Sequence, residues 1–95
     1  MPSMEKSQHT PEYRKLLCAL VAVRKGAGLS QRALARRLNV AASWVSKVET
    51  GERRIDLVEF FWFCEACNCD SSTVASEVLA SLRSSRVRLA RSPKT

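Results

Sequence analysis

A chain of 95 residues has room for one small core and excludes a two-domain enzyme with its active site between the domains. Apolar residues make up 45% and charged residues 26%, which excludes disorder throughout, and a net charge of +7 favours a polyanionic partner such as nucleic acid or an anionic surface. No run of about eighteen apolar residues occurs and the N-terminus lacks the apolar segment of a signal peptide, so a cytoplasmic protein without a membrane span is expected. In such a compartment the four cysteines are reduced packing residues or metal ligands rather than a disulfide framework.

Residues 1–9 have little apolar content and no periodicity and are expected to form a flexible leader. Thr10-Pro11-Glu12 then reads as a helix start. Thr10 supplies the cap, Pro11 loses nothing at a position whose N–H is unbonded anyway, and Glu12 complements the helix dipole. Tyr13, Leu16, Leu17, Leu20, Val21 and Val23 follow at helical spacing up to Gly26 and Gly28. Ser30 caps a second helix over residues 31–38, with Leu34, Ala35 and Leu38 as its apolar face, and Asn39, which tolerates a left-handed conformation, ends it. Residues 42–50 form a third short helix with Val45 and Val48 pointing the same way, stopped by Gly51. Asp56 caps a fourth helix over residues 57–67, and Ser71 or Ser72 caps a fifth that runs to Leu82 with Val74, Val78, Leu79 and Leu82 on one stripe. No strand pattern or phosphate-cradling glycine loop appears, so the expected fold is an all-α bundle of five short helices over residues 10–82. Residues 83–95 remain as a basic tail.

Charge is segregated along the chain. Residues 1–23 sum to +1, residues 24–54 to +6, residues 55–82 to −5 without a single Lys or Arg, and residues 83–95 to +5. A half that faces a polyanion and a half turned away from it are therefore expected.

The second and third helices are each too short to survive alone and are joined by about three residues, so they must dock on the first and fourth. That arrangement is a helix-turn-helix, whose second helix can enter a major groove. The string GLSQRALARRLNVAASWVSKVETGERRID, with small Ala35, the turn at Asn39 and apolar Val40, Val45 and Val48 in register, resembles the lambda-repressor-like, or Xre, family of transcriptional regulators from about Leu16 to Leu79. The resemblance implies a five-helix DNA-binding domain. Physically, Ala35 must be small where the third helix crosses the second. With Val45 and Val48 inward, a rotation of about 100° per residue turns Ser43, Ser46, Lys47 and Thr50 outward, with Ala42 at the leading edge.

Ala42, Ser43, Ser46 and Lys47 are the expected base contacts on double-stranded DNA, because residues near the start of the recognition helix reach base edges. Lys47 suits guanine acceptors, Ser43 is permissive, and Ala42 offers an apolar contact to a thymine methyl. Gln31, Arg32, Thr50, Arg53 and Arg54 are the expected phosphate contacts; the resemblance implies that role for Gln31 in particular, and Arg36 and Arg37 are further candidates. The resemblance also implies an ion pair between Arg24 and Glu49, a carboxylate-held guanidinium that would fix the angle of the third helix.

Several residues depart from the family pattern. Asn39 replaces the usual glycine, and Ala41 replaces a capping Ser or Thr, leaving an orphan N–H at a cost of about 1 kcal/mol. Trp44 lies on the flank between core and groove and is expected to pack against the second helix. In the fourth helix Phe60, Phe63, Cys64 and Cys67 make an inward stripe while Phe61 and Trp62 lie off it. A two-fold homodimer seam of Phe61, Trp62, Val78 and Leu82 is therefore expected. Cys18, Cys64, Cys67 and Cys69 are read as packing thiols, with no metal and no cofactor, and no catalytic constellation marks an enzyme. The function expected is a homodimeric repressor. Two alternatives stay open: an antitoxin that holds a toxin on the fourth and fifth helices while repressing its own operon, and a thiol- or zinc-sensing regulator.

Overall fold

The computed structural model describes residues 9–85. Five helices follow in order, α1 (Pro11–Gly26), α2 (Gln31–Leu38), α3 (Ala42–Thr50), α4 (Leu57–Ala66) and α5 (Ser71–Ser85), and no strand occurs among the described residues. The leader up to residue 8 and the tail from residue 86 lie outside the described residues.

Helix starts are set by side chains that accept the first free N–H groups. Thr10 accepts from the Tyr13 N–H and Ser30 from the Ala33 N–H. Asp56 makes a full capping box, its carboxylate accepting from the Glu59 N–H at 2.7 Å while Glu59 accepts from the Asp56 N–H at 3.0 Å. Ala41 opens α3 without a side-chain cap. The start of α5 corrects the sequence expectation, since Asp70 and neither serine caps it. One Asp70 oxygen accepts from the Thr73 N–H at 3.1 Å and from the Thr73 hydroxyl at 2.7 Å. The far end of α5 also differs, continuing past Leu82 through Arg83 to Ser85, so the first residues assigned to a tail are helical.

Three helix ends close in one way. Gly28, Asn39 and Asn68 adopt positive φ values of 75°, 60° and 57°. The next residue donates its N–H back to a carbonyl five residues earlier: Leu29 to Arg24, Val40 to Ala35, Cys69 to Cys64. This is the Schellman closure, in which the left-handed residue lets the chain fold back and cover the last carbonyls. Cys69 thereby fills an apolar position behind a turn. Gly51, at φ 84°, stops α3.

The core is assembled from one stripe of each helix: Leu20, Leu34 and Ala35, Val45 and Val48, Phe60, Phe63, Cys64 and Cys67, and Val74 and Val78. α2 packs on α3 and α4, α1 packs on α3, α4 and α5, and α4 on α5. Ala35 is 2% exposed, in keeping with the need for a small residue at the α2–α3 crossing. Tyr13 does more than fill the α1 stripe, because its hydroxyl accepts from the Ile55 N–H at 3.0 Å and ties α1 to the segment between α3 and α4. On α5 the expected stripe is corrected. Val78 is in the core, whereas Leu79 is 55% exposed.

Candidate nucleic-acid interface

Val45 and Val48 are fully buried, and this anchors α3 by one edge. The opposite edge carries Ala42, Ser43 and Lys47, all exposed, with Ser46 half-buried beside them. Ser43 and Lys47 are one helical turn apart and share a face. Thr50 is exposed on the same side, and its hydroxyl donates to the Lys47 carbonyl at 3.2 Å, within its own last turn.

Two charge clusters hold α3 in place. In the first, Arg24 of α1 forks onto Glu49 near the end of α3, Nε to Oε2 at 2.7 Å and Nη2 to Oε1 at 3.0 Å, while Nη1 donates to the Leu29 carbonyl at 2.8 Å. The two side chains retain 9% and 5% of their exposure. Hydrogen bonding to Glu49 raises the Arg24 pKa further, so the guanidinium is permanently charged here. Gln31 joins the cluster through an amide donor to Glu49 Oε1 at 2.9 Å. The residue expected on a DNA phosphate is thus half-buried and oriented by an internal carboxylate, and no spacing rule in the sequence links positions 31 and 49.

In the second cluster Arg53 donates from Nη1 and Nη2 to the two oxygens of Glu59 at 3.1 and 3.0 Å, and its guanidinium carbon lies 5.1 Å from the centre of the Trp44 ring. The Arg53 guanidinium, with the Asp56 N–H, lowers the Glu59 pKa below its usual value. Arg53 is therefore engaged inside the fold, in contrast to Arg32, Arg36 and Arg54, which are exposed. Arg37 donates to the Ala66 carbonyl at 2.8 Å and covers the C-terminal end of α4, a docking role that its sequence context did not reveal. Trp44 packs against the core from the flank of α3.

On the acidic half, Phe61 and Trp62 are 47% and 55% exposed, and Leu82 is half-buried. Val78, expected at the dimer seam, is 8% exposed within a single chain and belongs to the core. Leu57 and Leu79 take the outward places, and they line an open apolar groove of about 400 Å³ with Leu16, Ile55, Phe60 and Leu82.

Cys64 and Cys67 are buried, Cys69 is half-buried and Cys18 exposed. Burial pushes the Cys64 and Cys67 thiols up from an ordinary 9.0 to about 11. Protonated thiols are poor metal ligands and poor nucleophiles. No group of three or more His, Cys, Asp or Glu among the described residues could hold a metal. The folded chain keeps protons that the unfolded chain releases above about pH 9. The thiol contribution to stability is thus complete below that pH and is lost as pH rises toward 11. At pH 8 a disulfide reagent is expected to modify Cys18 rapidly and to reach Cys64 and Cys67 only in denaturant, which timed thiol counting checks.

Residues 16–76 match the family described as a helix-turn-helix domain. Among curated proteins none matches the chain. Among solved structures the chain is similar to an XRE-family like protein from Pseudomonas syringae pv. tomato, with 39% identity and a TM-score of 0.73 over 81% of this chain and 94% of that one. It shares its fold with the clp gene regulator ClgR from Corynebacterium glutamicum, at 24% identity and a TM-score of 0.67 over 86% and 89% of the two chains. Five helices with α2 and α3 as the paired unit, an outward polar edge on α3, the helix-turn-helix match over residues 16–76 and the likeness to the Pseudomonas protein agree: the chain belongs to the XRE family of helix-turn-helix proteins, DNA-binding transcriptional regulators.

Proposed function

We propose that the protein is a homodimeric repressor, a binding module and not an enzyme, that inserts α3 into the major groove of a cytoplasmic operator. The observation that supports this best is the division of α3 into a fully buried edge, Val45 and Val48, and an exposed edge, Ser43 and Lys47. A short helix held from behind in this way presents its first turns to base edges. Arg32 and Arg54, exposed to either side of it in sequence, supply phosphate contacts. Among the described residues no helix is long and apolar enough to cross a membrane. Selection of bound sequences from a random duplex pool tests the reading. Two half-sites about one helical turn apart are expected, and a pool that gains no consensus overturns it.

The dimer reading is supported by the outer face of α4, where Leu57, Val58, Phe61 and Trp62 are all exposed on a segment without Lys or Arg. Trp62→Glu is expected to convert the dimer to a monomer in sedimentation and to reduce operator affinity by two orders of magnitude or so, because the second half-site no longer binds intramolecularly. A wild-type monomer at high micromolar concentration would place dimerisation elsewhere. The same apolar face supports the antitoxin reading as the alternative, separated by whether an unlike chain encoded nearby co-purifies in a fixed ratio. Buried, protonated Cys64 and Cys67 weigh against thiol or zinc sensing.

A further inference from the structure

Arg53 stands among the residues expected on phosphate, yet its surroundings assign it elsewhere. Its backbone N–H donates to the Lys47 carbonyl at 3.0 Å, which joins it to the last turn of α3 just past the Gly51 stop. Its guanidinium lies over Trp44, in the first turn of the same helix. The two terminal nitrogens fork onto Glu59, and Nη1 also donates to the Arg54 carbonyl at 2.8 Å. Glu59 in turn accepts from the Asp56 N–H in the capping box that begins α4. One residue therefore reaches the end of α3 through its backbone and both the start of α3 and the start of α4 through its side chain.

We propose that Arg53 is a positioning residue: clamped between Trp44 and Glu59, it fixes the orientation of α3 against α4 and so sets sequence discrimination without contacting DNA. The inference rests on the reading of α3 as the DNA-reading helix. Charge matching supports it, because a guanidinium neutralised by a carboxylate displaces few counterions from a phosphate backbone. The flat face of its guanidinium is taken by the Trp44 ring and its fork by Glu59. Exposure decides what the clamp is for. Arg53 and Glu59 retain 41% and 18% side-chain exposure, so the pair adds little to overall stability, and its effect is angular.

The sign of one substitution separates the two roles. Glu59→Gln removes a negative charge near a polyanion and keeps a side chain able to complete the capping box. Electrostatics alone then predicts tighter DNA binding, whereas loss of the clamp predicts weaker cognate binding. Arg53→Lys keeps the charge but loses the planar fork and much of the stacking.

The test uses the duplex recovered with the unsubstituted full chain from a random pool, beside a scrambled duplex, with anisotropy titrations at several salt concentrations. Arg53→Lys and Glu59→Gln are each expected to lower cognate affinity about tenfold, comparable to one mismatched base pair. Affinity for the scrambled duplex should stay within about twofold and the slope of log affinity against log salt should not change. The double variant should lose no more than either single one, because both break the same clamp. Circular dichroism melts within a few degrees of the unsubstituted protein confirm that each variant is folded. Normal binding by Arg53→Lys, tighter binding by Glu59→Gln, or additive losses in the double variant would each overturn the assignment. Failure of the unsubstituted chain to enrich any sequence overturns the DNA-reading role itself, a result seen before any variant is made.

Discussion

Replacing Ser43 and Lys47 together with alanine is expected to abolish discrimination between the selected operator and a scrambled duplex while leaving the fold intact. Both side chains are exposed on α3, so alanine removes little packing and slightly favours the helix. A well-made contact to a base edge contributes about 1–3 kcal/mol of discrimination. Losing two therefore reduces cognate affinity by about 30- to 20,000-fold, and the cognate and scrambled isotherms should nearly coincide. Ala42 and half-buried Ser46 cannot compensate, since neither carries a charge or a long reach. Titrations at fixed moderate salt check this. Persisting discrimination would mean that DNA shape, or another element, provides the readout.

Arg24→Ala is expected to have the largest effect on stability. The Arg24–Glu49 pair is nearly sealed from water, and removing one member of such a pair leaves a buried charge without its main partner, at about 3–5 kcal/mol. For a domain whose whole stability is of the order of 5–15 kcal/mol, this is a large fraction. A fall in melting temperature of at least about 12 °C is expected, since each kcal/mol shifts a domain of this size by about 4–8 °C. The Leu29 carbonyl loses its donor in the same step, and Gln31 alone is left on Glu49. Arg24→Met combined with Glu49→Leu separates stability from orientation. An apolar replacement of the whole pair restores most of the melting temperature, but Gln31 then loses its carboxylate and α3 its fork, so operator binding should remain impaired. Full thermal stability of Arg24→Ala would overturn the account.

Much of this architecture follows from short-range chemistry. Thr10, Ser30 and Asp56 cap where caps were expected, and Asn39 and Gly51 end their helices in the left-handed conformation. The inward stripes of α2, α3 and α4 are those read from periodicity. Errors came where two candidates stood side by side. Asp70 caps α5 in place of Ser71 or Ser72 because a carboxylate one residue earlier reaches both donors of Thr73. On α5, a stripe that included both Val78 and Leu79 could not say which of two adjacent residues turns inward, and Val78 does.

What the linear order of residues determined by itself is the set of five helices, the starts of the first four, the stops of the first three and the polar edge of α3, because caps, breakers and a 3.6-residue period act within a few positions. Only the tertiary structure decided which charges are engaged and which are offered. Gln31 on Glu49, Arg53 between Trp44 and Glu59, Arg37 on the end of α4 and Tyr13 on Ile55 all join residues on different elements. An arginine in a one-dimensional string looks the same whether it faces solvent or a carboxylate. The angle at which helices pack brings the carboxylate within 3 Å or so of the guanidinium, the distance at which an N–H can donate to it, and a hydrogen bond is lost a few tenths of an ångström beyond that.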